Sequence, residues 1–355
     1  MRSRLLLFIV FLPLVMSSCQ NNGIGDNELP DLAKAQSLAP TDSIDLESRG
    51  ILNPVEIRFC DDFLVLGATT GKQEMHFLDL RDMKVTEKII VGSGPKEVSD
   101  YELVLGTDRN HSISYMDTNK MDVYAFDLDS LRENPATEQK WLYQVPKNKD
   151  AALLEVPLET ERYVYFTGVY LAGEHWIYCF DKQTKDFRSF GDFPAYEELA
   201  SAEYMTKSMV FATMVKATNG KRLVLCHYGT LDFYDMMEDG GLRVFREHHY
   251  FLPDITIYPN GTFAYKSKSK RGFNYVISSD EKYVYLLYSD KTIHENPGHN
   301  SEYLFVYDWD GNPIVQYALE KPLYNLAVNG STLYGLSREV EPIVYIFHLD
   351  DLSQK

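Results

Sequence analysis

The chain is short of several things. It has four cysteines in 355 residues, and no two stand in the Cys-x-x-Cys spacing of a structural zinc site, which makes a zinc-finger class unlike it. Basic residues are few: Lys and Arg total 35 against 52 Asp and Glu, a net charge of −17. A duplex nucleic-acid binder needs a basic face to neutralise phosphates, and adhesion to anionic lipid needs one too; neither fits. No apolar run approaches the ~18 residues of a membrane-spanning helix. Gly-x-Ser-x-Gly and His-Glu-x-x-His are both missing, so no local signature of a serine or zinc hydrolase is present.

The N-terminus is the next informative stretch. A basic MRSR precedes the apolar LLLFIVFLPLVM, and SSC follows. A basic start, a short apolar core and small residues before a cut site make a secretory signal. Met16-Ser17-Ser18-Cys19 resembles a bacterial lipobox, so residues 1–18 are expected to be removed and Cys19 to carry the lipid. The cleaved chain would hold 33 basic and 52 acidic residues. Gln20 is not the aspartate linked with inner-membrane retention, which favours the outer membrane, on its periplasmic or surface side. Residues 19–40, polar and rich in Gly, Pro and acids, read as a flexible tether, with a globular domain over 41–355. Cys60, Cys179 and Cys226 lie in apolar strand-like contexts and read as buried thiols.

What the chain has in quantity is aromatic residues, 25 Tyr and 19 Phe, which favour strands. They recur in register. Six segments end in an aromatic or aliphatic residue followed by a turn opener: HFLDLRDMK, VYAFDLDSL, IYCFDKQTK, LDFYDMMED, FVYDWDGNP and VYIFHLDDL. The markers are Asp79, Asp127, Asp181, Asp235, Asp308 and His348, spaced 48, 54, 54, 73 and 40 apart. Aspartate suits that position because its carboxylate bonds backbone amides two residues on. A buried-type strand lies upstream of each marker (FLVLGA, HSISYMD, RYVYFTG, KRLVLCHY, KYVYLLY, STLYGLS). A proline recurs between units at Pro54, Pro95, Pro146, Pro194, Pro253 and Pro322.

Four strands repeated six times predict an all-β, six-bladed β-propeller. A sandwich or a two-domain β protein would not repeat all three series together. The last unit lacks an outer strand, and SIDLES (43–48) has no unit of its own. Pairing the two would join the chain's ends and remove open edges. Residues 195–208 read as a short helix and 254–271 as an extra hairpin.

With these units placed, the chain resembles the TolB-like six-bladed propeller lipoproteins of Bacteroidetes, the BF3164-like group. The resemblance rests on the lipobox at Cys19, the closing strand before Pro54, the corner Gly92-x-Gly94-Pro95-x-Glu97, and the turn SSDEKYVY (278–285). Lys96 replaces the second glycine of the Gly-Pro-Gly-Glu often found at that corner. The resemblance implies an exported, membrane-anchored propeller and no particular activity.

The corner VGSGPKE invites a phosphate-loop reading, but a phosphate cradle needs a following helix whose amides face the anion, and here YELVLG follows, a strand. A tight corner fits better. In a propeller this corner shares a face with the loops that join second to third strands, and ligands are expected where that face meets the channel. The candidate binding residues are therefore Lys96 and Glu97 at the corner, Lys268, Lys270 and Arg271 in the basic run SKSKR, and His294, Glu295 and His299 in the loop HENPGH. His248 and His249 are adjacent in a strand and face opposite ways, so they cannot chelate together.

The reading is a binding or scaffold module for a protein or glycan partner in the cell envelope. It is expected to use its loop-rich face, with no catalytic residue, cofactor or metal assigned, as a monomer held to the membrane only by its lipid. The alternative is a metal-dependent, lactonase-like hydrolase or lyase with carboxylates from several blades converging at the channel.

Overall fold

The structure is a computed structural model. It describes residues 28–350 and 352, apart from the short segments 70–72, 90–91, 93–96, 99, 107–110, 148, 172–174, 194–195, 212–214 and 339–340. Cys19 and Lys96 lie outside the described residues.

Six blades, each built on an antiparallel run of strands, follow one another along the chain, and Leu105–Gly106 adds in parallel to the first strand of the third. Blade one runs Pro54–Cys60, Phe63–Thr69, Gln73–Asp79 and Val85–Ile89, each strand paired with the next. Blade two is Tyr101–Leu103, Ser112–Asp117, Asp122–Asp127 and Lys140–Gln144. Blade three is Ala151–Glu159, Tyr163–Tyr170, Ile177–Asp181 and Phe187–Phe190. Blade four is Val215–Thr218, Arg222–His227, Thr230–Met236 and Leu242–His249. Blade five is Lys270–Ser279, Tyr283–Thr292, Ser301–Asp308 and Pro313–Leu323. Blade six supplies three strands from the C-terminal end, Asn325–Asn329, Thr332–Ser337 and Ile343–His348.

The fourth strand of blade six comes from the other end of the chain. Strand β2 (Asp42–Asp45) pairs antiparallel with Ile343–His348. The segment before it is also built in, which corrects the expected tether. Leu32–Lys34 forms a 3₁₀ turn, and strand β1 (Gln36–Leu38) pairs parallel with the outer strand of blade five. Leu38 is buried, and Leu29 and Leu32 pack against the core between blades four and five. The polar composition of 19–40 hides these leucines, whose burial binds the segment to the ring, so the propeller begins before residue 41.

Packing closes the circle. Six apolar clusters each join two neighbouring blades, and one of them packs Leu326-flanking Ala327, Leu336 and Val344 of blade six against Ile57, Leu64, Leu66 and Leu78 of blade one. Side chains alternate between the two faces of a strand, so both faces of each blade are apolar and each feeds a different interface. That is why the second-strand segments read as continuous apolar runs.

The marker residues end, or nearly end, the third strand of every blade, and they hold turns. Asp308 accepts from Asn312 N at 2.8 Å, and Asp181 from Gln183 N at 2.8 Å. Asp181 is also bound by Arg162 at 2.6 Å, and these donors hold its carboxyl down at about 2. Asp127 instead caps α1 (Leu128–Glu133) through Ser130 N. Asp79 reaches the next blade, where Arg132 Nε meets it at 2.6 Å. The two irregular insertions fall where the sequence places them: a 3₁₀ turn at Glu197–Leu199 with α2 (Tyr204–Phe211), and a hairpin of Ile255–Ile257 and Phe263–Tyr265. Among the described residues no helix is long and apolar enough to cross a membrane. Cys60, Cys179 and Cys226 are buried and none is in a disulfide.

Candidate functional site

Strand direction divides the propeller into two faces. The turns joining first to second strands, and third to fourth, lie on one; the second-to-third loops and the connections between blades lie on the other. Both insertions, and the described candidate binding residues, belong to the second, loop-rich face.

On that face the structure brings six of the candidates together at blade five. The basic run enters the first strand of the blade, and HENPGH follows its second strand. The two are tied by backbone bonds: Ile293 N donates to Ser269 O at 2.9 Å and His294 N to Ser267 O at 3.0 Å. Lys270 pairs with Asp290 at 2.7 Å. Arg271 is buried and donates to Asn296 O at 2.8 Å. His299 is half-buried; desolvation and the nearby Arg271 charge hold it down at about 4, so it is neutral at ordinary pH. Glu295 is spent locally, accepting from Thr292 N and Oγ1 at 2.9 and 2.8 Å. Lys268 and His294 are exposed. Arg271, Asn296 and His299 therefore brace the protrusion, and Lys268 and His294 are what it presents.

Glu97 stands apart from this group, at the corner between blades one and two. Its side chain folds back over Gly92, where a Cβ would fall 2.1 Å from Glu97 Oε2. Gly92 N donates to Val98 O at 3.0 Å, and Lys120 Nζ to Glu97 O at 3.1 Å. The glycine is required by close approach within a corner.

The same face carries large exposed apolar side chains that the sequence reading missed: Leu171 at 54%, Tyr258 at 47% and Met205 at 37% exposure. They lie on neighbouring pieces. α2 packs along Tyr163–Tyr170, and Thr206 Oγ1 donates to Gly261 O at 2.8 Å, docking the tip of the hairpin onto α2. Beneath them His227 is fully enclosed. Its Nε2 bonds Val210 O at 2.9 Å, Phe211 and Tyr228 flank the ring, and burial holds the imidazole down at about 3.

The channel lies apart from these groups. Its cavity, about 550 Å³, is lined by the ends of first strands and their turns, including Arg58, Cys60, Glu159, Asn219, Asp280 and Asn329. It therefore opens on the turn face, away from the loops, because the first-strand ends converge there. Of its three carboxylates, Glu159 is paired with Lys182 at 2.6 Å, Asp280 holds a turn by accepting from Lys282 N, Tyr283 N and Tyr285 Oη, and Glu281 is exposed. Among the described residues two groups of three could hold a cation, Asp61–His111–Asp129 and Asp232–Glu247–His249; neither lines this cavity.

The TolB-like six-blade propeller family model matches residues 33–331. The chain belongs to this family. No curated protein matches it. Among solved structures, a DUF4221 family member from Bacteroides vulgatus is similar at 11% identity and TM-score 0.56, over 89% of this chain and 98% of that one. A protein described as exported, from Bacteroides fragilis, follows at 10% and 0.51, over 88% and 98%. A protein of unknown function from Bacteroides thetaiotaomicron shares 11% at 0.50, over 89% and 74%. At these identities the likeness concerns the fold.

Proposed function

We propose that this TolB-like propeller is a non-enzymatic binding module of the cell envelope that docks a protein on its loop-rich face. The carrying observation is that Leu171, Met205 and Tyr258 stand exposed on the same loop-rich face as the blade-five protrusion. Exposed apolar residues grouped on one face, rimmed by polar ones such as Lys268 and His294, suit protein contact. Of the protein and glycan partners that the sequence admits, this apolar character favours a protein. The signal-like residues 1–18 and the lipobox at Cys19 support export and lipid anchoring, with the outer membrane favoured by Gln20. Its similarity to a protein described as exported agrees with that compartment. A monomer suffices for the role.

The alternative, a channel-centred metal-dependent hydrolase or lyase, calls for three converging ligand groups on the cavity wall; its carboxylates Glu159, Asp280 and Glu281 are not among the described groups close enough to share one ion. The test is site-specific photo-crosslinking in intact cells, with the photoreactive residue at position 258, 171 or 205. A discrete adduct is expected from these positions, lost when Leu171→Glu and Met205→Glu are introduced together into a chain that still folds. Adducts arising only from turn-face positions such as 281 would overturn the assignment.

A further inference from the structure

Blade four holds a group of side chains that the docking reading leaves unused. In its sheet Asp232 stands directly opposite Glu247, and Thr230 opposite His249. Opposed residues, and residues two apart, share a sheet face. Asp232, Glu247 and His249 therefore point the same way, toward blade three, as does Tyr234, which packs in the cluster between those blades. His248, one residue away, points oppositely and bonds Gly311 O at 2.7 Å. The expectation that the two histidines do not act together holds, and the group His249 does join was not legible as a pair.

Two of the three are withdrawn from water. Asp232 is 3% exposed and His249 8%, and Glu247 is the most open of the trio. His249 Nε2 lies 2.8 Å from Asp232 Oδ1. One ligand atom from each of the three lies within 4.8 Å of the other two. Metal bonds to imidazole nitrogen and carboxylate oxygen are about 2.0–2.2 Å long, so small side-chain rotations bring all three atoms onto one ion. Opposed like charges disfavour a sheet, and a cation between the two carboxylates would relieve that repulsion.

We propose that Asp232, Glu247 and His249 bind one first-row divalent cation of the zinc or manganese type on the flank of blade four. One nitrogen and two oxygen donors suit such ions, and imidazole disfavours calcium and magnesium. Three protein ligands leave a coordination position open to water or to a donor atom from a partner. The other group of three is a weaker host. His111 and Asp129 are about half-exposed, and Arg132 already holds Asp129 at 3.3 Å.

The test is calorimetric titration of Zn²⁺ into the chelator-treated full chain, repeated with Co²⁺ while visible absorption is followed. One site is expected, with cobalt bands of low coordination number. Glu247→Gln and His249→Gln should each weaken it by about 100-fold or more, the scale on which even outer-shell partners of metal sites are felt. His294→Gln and Asp61→Asn should leave it unchanged. Circular dichroism confirms folding, and the half-exposed Glu247 keeps the test valid if His249→Gln unfolds. No stoichiometric binding, affinity unaltered in Glu247→Gln, or loss in Asp61→Asn instead would each overturn the proposal.

Discussion

His227 provides a quantitative test of how tightly the loop-rich face is built. The imidazole is enclosed, its Nε2–H donates to Val210 O, and burial holds it down at about 3. In the unfolded chain it should titrate near 6.5. The folded value is the lower one, so the stability tied to neutral His227 is complete above about 6.5 and is lost as pH falls toward 3. One pH unit is worth about 1.4 kcal/mol in that window, so acidification from pH 7 to 4.5 should remove roughly 2–3 kcal/mol through this residue alone. Half-buried His299 adds a smaller loss of the same sign. His249 and His111 act oppositely, because Asp232 and Asp61 raise them. Total stability against pH therefore mixes signs, and a difference between two proteins isolates the one group. The assay is urea unfolding followed by tryptophan fluorescence at pH 7, 6, 5 and 4.5, on the wild type and His227→Gln. The variant loses ring packing against Phe211 and Tyr228 and should be weaker at pH 7 by about 1–3 kcal/mol. That gap should close by roughly 2–3 kcal/mol at pH 4.5. Parallel curves across the range would refute the account of an enclosed, neutral imidazole.

Three further outcomes follow from the packing. Deleting residues 36–45 should strip the added parallel strand from blade five and the fourth strand from blade six and unseat Leu38 and Ile44; at about 1.5–3 kcal/mol per buried apolar side chain, the melting temperature should fall and light scattering should report association through the bared edges. Arg222 binds Asp235 in its own blade, Asp310 and Trp309 O in the next, and lies 4.2 Å over Phe245. Arg222→Met should cost about 1–3 kcal/mol in urea unfolding, and combining it with Asp310→Asn should cost less than the two changes summed. The thiols of Cys60, Cys179 and Cys226 should ignore a thiol-specific chromogenic reagent until denaturant is added, since all are buried and burial pushes Cys179 up to about 12 and Cys226 upward.

The strand order and the repeat were legible because a blade imposes the same demand six times. Its second strand is apolar on both faces, and its third must stop at a turn, which is how Asp79, Asp181 and Asp308 came to mark it. Insertions were legible as breaks in that period. The tether was misjudged at its far end because Leu29, Leu32 and Leu38 are too sparse to form a pattern, yet each finds a partner on the ring. The cavity was not legible because the sequence shows where the loops are long, whereas this cavity forms where first-strand ends converge.

By itself, then, the sequence determined the class of fold, the number of blades, and the residues that close each turn, because those features depend on neighbours along the chain and on a period. Only the tertiary structure decided which distant side chains meet. Lys268 and His294 share one braced protrusion because two backbone bonds join their loops. Leu171, Met205 and Tyr258 share a surface because α2 and the inserted hairpin dock together. Asp232, Glu247 and His249 face one another because strand register, which local sequence does not encode, sets an acid opposite an acid and brings a histidine to both.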